Sequence, residues 1–210
     1  MNTIITIGRQ FGSGGHIIGQ KVADHFGIKC YDKELLTRVA KDSGLCVEMI
    51  EHQDEKPNNS FLYNLVMEPM SFMSGPNMVM NVPLNQKVFM AQFETIKKIA
   101  EEGPCVIVGR CAEYALSDLP NKLHIFISST EKFRVAELRK RYPDIDTDQK
   151  AIDMMKRKDK ERKNYYNYYS SNQWGHAESY DLVVNSSVLG IDGTSKLIVQ
   201  FVEDFEAGRG

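Results

Sequence analysis

The stretch "ITIGRQFGSGGHIIGQKVA", residues 5–23, decides how this chain is read. It opens with apolar, largely β-branched residues, as a buried strand requires. Glycines at 8, 12, 14 and 15 then crowd ahead of a helical apolar pattern that begins near Ile17. Strand, glycine loop and helix in that order can cradle a phosphate. Glycine lets the backbone turn several N–H groups inward, and the helix adds its unpaired amides and positive dipole end. A loop of the form G-x-x-x-x-G-K-[ST] would carry a lysine and a hydroxyl residue. Here His16 and Ile17 stand in those places, so the available cations are Arg9 and His16 and the available hydroxyl is Ser13. The candidate phosphate-binding set is therefore Arg9, Gly12, Ser13, Gly14, Gly15 and His16. The competing reading is a tight strand–helix turn whose glycines serve close packing. A dinucleotide fingerprint is set aside, since no G-x-G-x-x-G fits the loop.

Outward from the loop, apolar runs at Thr3–Ile7, Ile28–Tyr31, Cys105–Val108, Leu123–Ile127 and Leu182–Asn185 read as strands. Helical periodicity covers Ile17–His25, Lys33–Asp42, Gln86–Glu102, Glu131–Arg141, Thr147–Tyr169 and Thr194–Phe205. Alternating strands and helices predict an α/β fold with a five-stranded parallel sheet covered on both faces. With 210 residues the chain suits one domain, and 42% apolar with 26% charged residues is ordinary for a globular protein. A net charge of −2 argues against a dedicated nucleic-acid or membrane binder. Cys30, Cys46, Cys105 and Cys111 lack C-x-x-C spacing and read as reduced core thiols rather than disulfides or a zinc site, and no signal-like segment opens the chain, so a cytoplasmic location is expected.

Three further groups carry chemistry. Asp32 ends the second strand and projects toward the crevice at the strands' carboxyl ends, where ligands of parallel sheets bind. It could orient an acceptor or hold Mg²⁺ through water, or simply cap the helix that follows. Gly109 lets the third strand turn sharply, placing Arg110 at the same rim, where its planar fork suits a monophosphate; a structural salt bridge competes. Residues 156–163 hold six Lys or Arg against Asp159 and Glu161, ahead of a tyrosine-rich run. That run reads as a solvated helix face, a single-stranded nucleic-acid platform or a lid whose arginines close over a phosphoryl group. Between the second and third strands, about residues 55–85, Pro57, Pro69 and Pro76 and several methionines mark an insertion that packs adaptably over a site or forms a plain surface hairpin.

Taken together, the glycine loop, "YDKELL", the methionine-rich insertion, "VIVGR", "LHIFISS", the basic helix and "YDLVVNSSVLGI" resemble the cytidylate kinase-like family, from Ile4 to about Val202. The resemblance implies a three-layer P-loop NTPase fold: a core (1–54 and 86–210), a helical monophosphate-binding insertion (55–85) and a helical lid (142–175). It implies ATP as phosphoryl donor with Mg²⁺, and a nucleoside monophosphate such as CMP as acceptor. Loop residues Gly12–His16 would hold the donor phosphates, with Ser13 and Asp32 toward the metal. Gly109 and Arg110 would take the acceptor. Arg157 and Arg162, with Asp159, would serve the transfer from the lid. Two departures stand out: the loop lysine is absent, and Cys111 follows Arg110 where the bacterial enzymes carry aspartate. The same fold without turnover would make a nucleotide-binding regulatory protein, and the chain leaves room for a homo-oligomer.

Overall fold

The computed structural model describes residues 1–55 and 83–208. Most of the expected insertion, and the last two residues, lie outside the described residues. The described chain runs β1 (Ile4–Arg9), α1 (Gly15–Phe26), β2 (Lys29–Tyr31), α2 (Lys33–Ser43), α3 (Val47–Gln53) and α4 (Leu84–Glu102). It continues β3 (Cys105–Val108), α5 (Ala112–Ala115), β4 (Lys122–Ser128), α6 (Glu131–Arg141), α7 (Asp148–Tyr169), β5 (Leu182–Asn185) and α8 (Ser186–Ala207). All five strands pair in parallel in the order β2-β3-β1-β4-β5, so β1 is central, with Ile5 opposite both Val106 and Leu123.

Alternation along the strands splits the core into two layers. Ile5, Ile7, Val106, Val108, Ile125 and Ile127 pack with Ile18 and Val22 of α1 and Ile198 and Val202 of α8. Ile4, Cys105 and Ile107 face the other way, onto Leu35 and Val39 of α2, Ile50 of α3 and Ile96 and Ile99 of α4. The result is a three-layer α/β architecture with the glycine loop at the carboxyl end of its central strand. Two smaller clusters attach the basic helix. Ala151 and Met155 pack on Val135 and Leu138 of α6, and Tyr165 and Tyr166 pack beside Phe89 and Cys111. At about 1.5 Å per residue, the 22-residue α7 spans roughly 33 Å and crosses the carboxyl edge of the sheet.

Several boundaries differ from the sequence reading for local reasons. β1 extends through Arg9, because Gly8 and Arg9 still pair with Phe126 and Ile127 of β4. α8 begins at Ser186, eight residues early, and passes a break at Gly190 (φ 67°, ψ 179°) that disguises its periodicity. α3 and the four-residue α5 carry too short a pattern to register. The four cysteines are free, but Cys46 is exposed rather than a core thiol. No described helix is long and apolar enough to cross a membrane.

Candidate active site

The glycine loop leaves β1 at Arg9 and enters α1 through Gly14, with Gly12 and Gly14 in left-handed conformations (φ 84° and 79°). No side chain caps α1, so its leading amides are not taken by a cap. Gly12, Gly14, Gly15 and His16 line one wall of a cleft of about 790 Å³. A Cβ on Gly15 would sit 2.7 Å from the Cβ of Arg9, which packs directly beneath the loop. The loop is tied from behind. Phe11 N–H donates to Asp159 Oδ1 at 2.7 Å, Arg134 Nη1 donates to the Phe11 carbonyl at 3.2 Å, and Arg134 pairs with Asp159 Oδ2 at 2.5 Å.

The cleft floor is a network of three guanidiniums and three carboxylates. Arg110, only 4% exposed, gives Nε and Nη2 to Asp54 at 3.1 and 3.0 Å, and Nη1 to Asp32 Oδ1 and the Val108 carbonyl, both at 2.9 Å. Arg9 donates Nη1 to Glu55 Oε1 at 2.6 Å and lies 3.8 Å from Asp32. Arg162 reaches from α7 to Glu55 Oε2 at 3.0 Å, its guanidinium over the Phe11 ring at 5.4 Å. Burial pushes the Asp32 and Glu55 carboxyls up, but Arg9 with Arg110, and for Glu55 also Arg162, outweigh it and hold both below the usual range. Burial would lower Arg110, yet Asp54, Glu55 and Asp32 hold it well above its ordinary value.

Each residue singled out in the sequence has a definite place here. Asp32 occupies the N-cap position of α2 but makes no capping bond; its carboxylate faces the cleft and Arg110. His16 Nδ1 lies 2.9 Å from Asp32 Oδ2, off the hydrogen-bonding direction. Arg110 lies buried in the cleft floor instead of at its rim, and its fork is spent on Asp32 and Asp54 instead of standing open for a monophosphate. Gly109 turns at φ 84°, and a Cβ there would overlap the Arg9 guanidinium and the Glu55 carboxylate.

Three expectations are corrected by geometry. Ser13 is fully buried and its hydroxyl donates inward to the Gln10 carbonyl at 2.9 Å, so it does not face a metal in the cleft. Asp159 holds the back of the loop instead of the reacting groups. Arg157 is exposed and lies outside the cleft lining, whereas Lys158 and Arg162 line it. At about 100° per residue, positions 157 and 162 sit roughly 140° apart on a helix, while 158 and 162 share a face.

Sequence reasoning missed Asp54, Glu55, Arg134, Lys140 and Arg141. Lys140 and Arg141 line the cleft from the end of α6, where a basic run reads as ordinary compensation of the helix dipole. Asp54 and Glu55 follow a helix too short to be seen and carry no motif.

Among the described residues, no cluster of three or more His, Cys, Asp or Glu side chains could hold a metal ion by itself. The carboxylates of the cleft floor, Asp32, Asp54 and Glu55, are each already paired with an arginine. That fits a hydrated Mg²⁺ arriving with phosphates better than a resident ion.

A sequence model of the cytidylate kinase-like family matches residues 4–188. A cytidylate kinase of Pyrococcus horikoshii is 22% identical over 204 residues, covering 97% of this chain and 90% of that protein. Among solved structures, an uncharacterized protein from Eubacterium ventriosum is 32% identical, with a TM-score of 0.71 over 96% of this chain and 98% of the other. A shikimate kinase from Bacteroides thetaiotaomicron superposes with a TM-score of 0.56 at 11% identity, over 97% and 99% of the two chains, a likeness of fold alone.

Proposed function

The chain belongs to the cytidylate kinase-like family, and from that premise we propose that it transfers the γ-phosphoryl group of ATP to a nucleoside monophosphate of the CMP or dCMP type. The observation that supports this most is the glycine loop and uncapped α1 facing a floor of strand-tip arginines and carboxylates across one cleft. Phosphoryl transfer asks little covalent chemistry of a protein; positioning and neutralisation of charge carry it.

In this reading Gly12, Gly14, Gly15 and His16 receive the donor phosphates through backbone amides and the α1 dipole. Arg9 beneath the loop and Lys158 and Arg162 on α7 supply the cationic charge that a loop lysine gives elsewhere. Arg110 acts by fixing Asp32 and Asp54, and Asp32 orients the acceptor or the hydrated metal. Mg²⁺, when bound with ATP, would neutralise the outer phosphate oxygens; Asp32 is the residue placed to hold its water shell. The Asp159–Arg134 clamp keeps the loop at the height the phosphates need.

A coupled assay with Mg-ATP against a panel of nucleoside monophosphates tests the proposal. ADP release that depends on CMP or dCMP is the expected result. ATP binding without acceptor-dependent release would favour a second reading, a nucleotide-binding regulatory protein. The observation behind that alternative is that Arg9, Arg110 and Arg162 are all already paired with carboxylates.

A further inference from the structure

Among the described residues, positive φ outside glycine occurs at Glu55 (51°), Arg110 (58°) and Cys111 (52°), and Gly109 between strand and turn is at 84°. Such backbone strain persists only where the surroundings hold it, and it concentrates at functional sites. Here it brings donors from three separate elements onto one carboxylate. Glu55 Oε1 accepts from Arg9 Nη1 at 2.6 Å and from the Arg110 amide at 3.4 Å, and Oε2 accepts from Arg162 Nε at 3.0 Å. Arg9 ends β1, Arg110 lies in the turn after β3, and Arg162 comes from α7.

We propose that this triangle of donors is a binding site for a tetrahedral oxyanion, and that Glu55 is its internal occupant, displaced when a phosphoryl group arrives. Three details favour an anion site over a plain salt bridge. The Arg110 amide is left with a long contact that a planar carboxylate cannot shorten while also serving both arginines, whereas a third oxygen could take it. A cavity of about 20 Å³, room for about one water, adjoins Arg9, Glu55, Arg110 and Arg162, so the pocket holds more space than a carboxylate fills. Position 109 lacks a side chain just where one would intrude on Arg9 and Glu55. The proposal rests on the kinase reading only for naming the anion as a phosphoryl group. Its physical consequence is competition: the protein must release its own carboxylate before the site can be filled, which weakens apparent anion affinity by the fraction of molecules already open.

The test is calorimetric titration of the full chain with inorganic pyrophosphate, comparing wild type with Glu55→Gln and Glu55→Ala. Both variants should bind roughly tenfold more tightly or better, with Glu55→Ala the stronger. If Glu55→Ala is poorly folded without ligand, millimolar pyrophosphate should restore its helical circular dichroism, since the anion replaces the missing charge. Unchanged or weaker binding in both variants, or no such recovery, overturns the proposal. Turnover is a separate readout. Tighter anion binding without acceptor-dependent ADP release would leave the oxyanion site standing and the kinase reading fallen; the reverse pattern would do the opposite.

Discussion

Glu55, half-buried, and Glu113, buried, line the same small cavity, yet they are opposite electrostatic cases. Glu55 is answered by Arg9 and Arg162, and they hold it ionised below the ordinary range against the cost of burial. Among the described residues Glu113 meets no guanidinium, and its Oε1 has no hydrogen-bond partner. Burial, only partly offset by the Tyr166 hydroxyl and nearby backbone, pushes its carboxyl from 4.5 up to about 7. Desolvation acts on both; only one has neighbours that outweigh it. Asp54 lies between the two cases: it takes two bonds from Arg110, yet burial and the neighbouring Glu55 charge still raise its carboxyl.

The comparison breaks most severely if a guanidinium is removed. Arg110→Met should strand Asp54, whose carboxyl is already raised, and leave Asp32 with Arg9 as its remaining arginine, costing about 3–5 kcal/mol in urea denaturation at neutral pH. A loss under about 1 kcal/mol would show that the network is not what neutralises the floor.

Glu113→Gln sharpens the contrast from the other side. A folded-state pKa raised to about 7 means the native protein holds this proton more tightly than the unfolded chain. The stability tied to that proton is fully present below pH 4.5 and is lost as the pH rises through about 7. The interval corresponds to about 3 kcal/mol. The variant should therefore show a flatter stability profile between pH 4.5 and 8 and exceed the wild type at the alkaline end. Parallel profiles for the two proteins would mean that Glu113 is ionised in the fold.

Asp159→Asn gives a smaller effect and separates the loop clamp from the floor. Losing the charge opposite Arg134 and weakening the bond from the Phe11 amide should cost about 1–2 kcal/mol. Hydrogen exchange at that amide should quicken by roughly tenfold, while the pH profile set by Glu113 stays in place. Slow exchange at Phe11 in the variant would refute the clamp.

Much of the frame could be read along the chain, because it depends on local periodicity. Apolar runs bounded by turns and separated by amphipathic stretches can satisfy their backbone only as a covered parallel sheet, and the glycine loop could be placed at its centre. Asp32 and Arg110 were legible as strand-tip residues for the same reason. That Arg110 would be saturated by carboxylates was not, because Asp54 lies 56 residues away in sequence at the end of a short helix. Ser13 looked available because loop sequence does not show which way a hydroxyl turns. Arg157 and Arg162 differ by roughly 140° in helical phase, a difference that the sequence itself carries.

By itself, then, the order of residues determined the layers, the phosphate-shaped loop and the elements that reach the cleft, since each follows from contacts between near neighbours. Only tertiary structure decided which charges meet: Glu55 with Arg9 and Arg162, Arg110 with Asp32 and Asp54, and Glu113, among the described residues, with no guanidinium. Electrostatic pairing in a buried, low-dielectric floor depends on distances of a few ångströms between groups far apart in the chain, and the sequence pattern does not record those distances.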